Sequence, residues 1–100
     1  MENISTAQIE VSAQAIHRIR RTSVPFERLN DARKNHFRNE AAMIWGAVDE
    51  TGVPTDENIE AGAIAVGEDS AKIPWSDILE TVRNHYRAKA EAALQAKTTV

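Results

Sequence analysis

Lys34-Asn35-His36-Phe37-Arg38 returns 49 residues later as Arg83-Asn84-His85-Tyr86-Arg87, and the reading of that recurrence decides the fold. Working outward from it, Val24-Pro25-Phe26 matches Ile73-Pro74-Trp75, Leu29 matches Ile78, and Ala41 matches Ala90. Further upstream, Ile9-Glu10 with Ala13, Ala15 and Ile16 matches Ile59-Glu60 with Ala63, Ala65 and Val66, the offset slipping to 50 in the intervening loop. Self-similarity at a fixed period marks a duplicated supersecondary unit. Each copy reads as helix, loop, Pro-aromatic step and longer helix.

One hundred residues with 42% apolar side chains supply one compact core but not two. Unit one, about 5–52, and unit two, about 55–97, must therefore share it within a single domain spanning 1–100. The expected architecture is an all-α, compact helical bundle of two tandem units related by an approximate twofold. No run of eighteen apolar residues is present, and Met1-Glu2-Asn3 does not begin a basic and then apolar leader, so the expectation is a cytoplasmic protein. Cysteine is absent, which removes disulfides, thiolate metal sites and cysteine nucleophiles together and suits a reducing compartment.

Ser5 with Gln8 three residues on signals the start of the first helix, and Ile9, Ala13 and Ile16 lay an apolar stripe along it. Arg18, Arg20 and Arg21 suit its negative end. Pro25 turns the chain, and Phe26 and Leu29 pack back against the stripe. Asn30 and Asp31 open the second helix, which carries Phe37, Ala41, Ile44 and Val48 on one face and is expected to run to Gly52 in Gly52-Val53-Pro54. Thr55 caps the third, with Ile59, Ala63 and Val66 inward and Gly67 as its expected end. The fourth begins between Ser76 and Glu80 and places Val82, Tyr86, Ala90 and Ala93 along one side. Phe37 and Tyr86 are the rings on which this core depends.

No phosphate-cradling glycine loop, zinc-type His-Glu-x-x-His, calcium loop or nucleophile elbow occurs, so no catalytic, metal or cofactor residues are assigned. The repeated histidines His36 and His85 each precede a core aromatic and should point sideways out of the stripe, as surface residues inherited by duplication. Trp75 shares its step with Phe26 and reads as core. Trp45, whose counterpart is Leu94, lies at the edge of the Phe37 stripe, open to boundary packing or a binding contact.

Charge divides the chain. Residues 1–47 hold seven Arg or Lys against five acids, a balance of +2, while residues 48–100 hold five against ten, a balance of -5. Within the second half, 49–71 carries Asp49, Glu50, Asp56, Glu57, Glu60, Glu68 and Asp69 with no base, a surface suited to a basic partner. Arg18, Arg20, Arg21, Arg28, Arg33, Lys34 and Arg38 in the first half offer the alternative, neutralising nucleic-acid phosphates directly.

The order Pro74-Trp75, Arg83, Tyr86, Arg87, Ala90, with its earlier copy, resembles a helical module of short phage and mobile-element proteins. Small, acidic, cysteine-free helical chains of this kind also resemble anti-CRISPR proteins. That resemblance implies a non-enzymatic inhibitor that docks onto a host nucleic-acid-handling complex, such as a CRISPR surveillance complex, and blocks DNA. Under it, Asp49, Glu50, Asp56, Glu57 and Glu60 would engage lysines or arginines that otherwise meet target phosphates, with Trp45 as an apolar anchor. It implies no cofactor and no membrane. A small nucleic-acid-binding regulator using the Arg-rich half, or a structural phage protein that self-assembles, are the alternatives.

Overall fold

Three of the four helices begin where a side-chain oxygen accepts a free backbone N–H. In the computed structural model, which describes residues 4–20 and 23–96, Ser5 Oγ accepts from Gln8 N at 3.0 Å and starts α1, Thr6–Ile19. Asn30 Oδ1 accepts from Arg33 N at 2.9 Å ahead of α2, Asp31–Ala47, and Thr55 Oγ1 from Asn58 N at 3.2 Å ahead of α3, Asp56–Ala71. The fourth, α4, Glu80–Gln95, follows Leu79, which has no capping oxygen and is 73% exposed. Each unit carries one turn of 3-10 helix after its proline, at Phe26–Arg28 and at Trp75–Asp77.

Two helix ends and one stripe residue differ from the sequence reading. The second helix stops at Ala47 rather than Gly52, because Asn58 of α3 reaches back to accept from Asp49 N at 3.1 Å and pulls the chain out of the helix. Gly52 still takes the left-handed conformation, with φ 60°, inside the turn that follows. Gly67 does not end α3, which continues to Ala71 and closes on Lys72 in the left-handed region. Val82 is 38% exposed and stands outside the stripe, which begins at Tyr86.

The absence of a side chain at Gly67 serves packing. A Cβ there would stand 2.8 Å from Trp75 Cζ3 and 3.0 Å from Tyr86 Cδ2, both parts of rigid rings. The equivalent place in unit one holds His17, set edge-on to Phe26 and Phe37 with ring centroids 5.8 and 5.4 Å away. A larger residue on the first helix is matched by the smaller Phe26, and none on the third by the larger Trp75. Gly67→Ala is therefore expected to destabilise by about 1–3 kcal/mol through overpacking, and Trp75→Phe in the same chain to recover part of that. Gly46→Ala, where nothing lies within 4 Å of the added carbon, should instead gain about 0.4–1 kcal/mol. Thermal melts of the three variants check the opposite signs.

The helices pack with α1 on α2 and α4, α3 on α4 and α2, and α2 meeting α4 across the centre. Phe37, Ile16, Ile44, Leu94 and Val66 are fully buried in one continuous core with residues from both units, and Tyr86 is 7% exposed. The Cα radius of gyration, 12.8 Å, is that of a compact chain, about 13 Å at this length. Among the described residues no strand occurs, and no helix is long and apolar enough to cross a membrane.

Candidate functional site

The repeated Asn-His-aromatic-Arg segment is a structural clamp in both units. Arg38 Nε meets Glu10 Oε2 at 2.7 Å, and Arg87 Nε meets Glu60 Oε1 at 2.7 Å, each arginine tying the second helix of its unit to the first. Asn35 and Asn84 accept a further bond from the same guanidinium groups, at 3.0 and 2.8 Å. Both guanidinium groups also lie over the aromatic ring of the Pro-aromatic step, Arg38 5.9 Å from Phe26 and Arg87 5.5 Å from Trp75. Hydrogen bonding from these arginines holds the Glu10 and Glu60 carboxyls below the usual carboxylate range. Glu60 is therefore internally engaged, and it also accepts from Trp75 Nε1 at 3.1 Å.

The other acids separate by role. Asp49 Oδ1 accepts from Thr51 N, Thr51 Oγ1 and Asn58 Nδ2 at 3.0, 2.6 and 3.0 Å, so it fastens the turn between the units. Those donors lower its pKa, the Thr51 hydroxyl contributing most. Glu68 accepts from Trp75 N at 2.7 Å. Glu50, Asp56 and Glu57 are exposed and bonded to no other side chain among the described residues, with Asp56 and Glu57 in the first turn of α3. Of the predicted acidic set, the structure thus leaves these three free at one end of the molecule.

Trp45 is not placed to anchor a partner. It is 3% exposed, and its Nε1 donates to Ser12 Oγ at 2.9 Å inside the core. Ser12 in turn donates to the Ala93 carbonyl at 2.9 Å and accepts from Gln8 Nε2 at 3.1 Å, so its hydroxyl uses all of its bonding capacity. An indole buried with its one donor satisfied is a core residue joining α2, α1 and α4. Trp75 is half-buried against the core.

On the basic side, Arg38 is spent on Glu10, whereas Arg18, Arg20, Arg28 and Arg33 are exposed and form no ion pair among the described residues. Arg21 lies outside the described residues. Lys34 is half-buried and acts on Glu10 through its charge. His36 is 59% exposed, 3.7 Å from Glu40 Oε1, and His85 is exposed as well. Burial, then the charges of Lys89 and Arg20, push the His85 pKa down. Among the described residues no group of three or more His, Asp or Glu is arranged to hold a metal ion.

Reading the sequence alone missed the buried pair between Glu40 and Lys89, whose Oε2 and Nζ are 2.7 Å apart with side chains 3% and 7% exposed. The offset carried a signal for it. Glu40 and Lys89 are equivalent positions of the two units, and residues of opposite charge at equivalent positions can meet where the units face each other.

Comparison with protein-family models, with curated proteins and with solved structures finds no match to this chain.

Proposed function

We propose that this protein acts by docking, without chemistry of its own, as a phage-type inhibitor of a host nucleic-acid-handling complex in the host cytoplasm, in the manner of an anti-CRISPR protein that blocks DNA binding by a surveillance complex. The observation that carries the reading is where the charge not used by the fold is found. Glu50, Asp56 and Glu57, around the turn that joins the units, have no side-chain partner among the described residues. Four free arginines stand around the opposite end of α2, whose 17 residues span about 25 Å.

An exposed acidic end of this kind complements the lysines and arginines with which a DNA-binding complex holds phosphate. Such complementarity speeds encounter and fixes orientation more than it adds raw affinity. Trp45 has no part in this contact, and Asp49 and Glu60 shape the surface instead of touching the partner.

Reversal of the three free acids, Glu50→Lys with Asp56→Lys and Glu57→Lys, is expected to weaken capture of a purified surveillance complex by at least about tenfold, chiefly through slower association at low salt. Asp77→Lys, on a different corner, should leave capture unchanged. Equal capture by the triple variant, or none by the unaltered protein, would overturn the reading.

A further inference from the structure

The duplication supplies an internal control for every surface residue. What the shared fold requires recurs at equivalent positions, as Glu10 with Arg38 recurs in Glu60 with Arg87. The four free arginines do not recur. Arg18 corresponds to Glu68, Arg20 to Ser70, Arg28 to Asp77 and Arg33 to Val82. Unit two builds the same corner with none of these charges, so the arginines are not there for stability, and like charges gathered without partners repel one another. Glu27 and Asp31 share the corner but form no ion pair with any of them among the described residues, which leaves the balance positive.

Arg20 and Arg33 approach one space from two elements. They line a hollow of about 290 Å³ floored by His17, Leu29 and Phe37. They also line an adjoining one of about 400 Å³ with Asn30, Ala32 and His36. The Arg20 guanidinium is held over the Phe37 ring, 5.7 Å from its centroid, which keeps it oriented while its N–H groups meet no acceptor among the described residues. Two planar forks without carboxylate partners, facing a concavity with no acid in its lining, match the bidentate demands of a phosphate group.

We infer that these adjoining hollows are a phosphate-binding site, with Arg20 and Arg33 as its ligands. The phosphate is either free or part of a single nucleic-acid strand. The site is separate from the acidic docking end and does not depend on it, so each can fail alone.

The test uses the full chain with three probes: inorganic phosphate, a labelled single-stranded oligonucleotide and a polyglutamate peptide, at low and moderate salt. The informative variant is Arg20→Ser with Arg33→Val, because unit two already carries serine and valine at the equivalent positions and folds with them. Circular dichroism melts confirm that it is folded, and Lys72→Ser serves as a control for removal of charge elsewhere. The expected result is at least about tenfold weaker phosphate or oligonucleotide binding in the double variant and no weakening in the control. For the oligonucleotide, the slope of log affinity against log salt should fall by about 0.7, for the one phosphate that the variant no longer neutralises. Binding of the oligonucleotide far tighter than phosphate assigns the site to a strand, and equal binding assigns it to free phosphate. Absence of binding to both, binding unchanged in the double variant, or polyglutamate bound as tightly as either would overturn the inference.

Discussion

Lys89→Ala is expected to destabilise the protein by about 3–5 kcal/mol, the cost of leaving a buried charge without its partner. At this chain length that lowers the melting midpoint by more than about 12 °C, and a domain with about 5–15 kcal/mol of total stability keeps little reserve. The prediction follows from burial. Glu40 is 3% exposed, and beyond Lys89 the nearby basic side chain among the described residues is the His36 imidazole, 3.7 Å from an oxygen that accepts no hydrogen bond. The Lys89 ammonium also lies 5.6 Å from the centroid of Tyr86, so truncation strips the core ring of that cation as well.

The pair itself adds little net stability, because both groups gave up their hydration to form it. Glu40→Leu with Lys89→Met should therefore come out neutral or more stable by about 1–4 kcal/mol. Thermal and urea unfolding of the two single variants and the double give the coupling directly. A single-variant cost below about 1 kcal/mol, the range of exposed pairs, would show that the centre of the bundle is wet.

Trp45→Ala should cost a similar amount, about 3–5 kcal/mol, by opening a cavity and leaving the Ser12 hydroxyl without its indole donor. The same position separates core from contact. If Trp45 anchored a partner, Trp45→Phe would weaken binding while the fold held. As a core residue, Trp45→Phe should lower the melting midpoint and leave the partner's affinity within about twofold, a difference under about 0.5 kcal/mol. A fall in affinity without a fall in stability would restore Trp45 to the binding surface.

The helices were legible in the chain because their signals are local. Ser5, Asn30 and Thr55 cap within three residues of themselves, and the stripes of Phe37, Ala41 and Ile44 and of Tyr86, Ala90 and Ala93 follow from helical spacing alone. Both mistaken helix ends depended on partners outside the helix. Gly67 looks like a helix stop until Trp75 and Tyr86 are seen to fill the space beside it, and α2 ends at Ala47 because Asn58 reaches back from the next helix.

The acidic surface was readable only as a run of like charges. Seven acids without a base look alike in a row of letters, yet folding engages Asp49 in a turn, Glu60 and Asp69 in ion pairs and Glu68 in a backbone bond, and leaves Glu50, Asp56 and Glu57 without a side-chain partner among the described residues. Which acids remain available depends on what stands opposite each one, and those neighbours arrive from other helices.

From its letters alone this protein was determined to be helical, duplicated and built on one shared core, since periodicity, capping and repetition act between near neighbours or copies. Only the tertiary structure decided that Trp45 is interior, that Glu40 and Lys89 meet at the centre, and that four of the described arginines are left without acidic partners. Burial and pairing are properties of which surfaces come together, and that is settled when the two units pack.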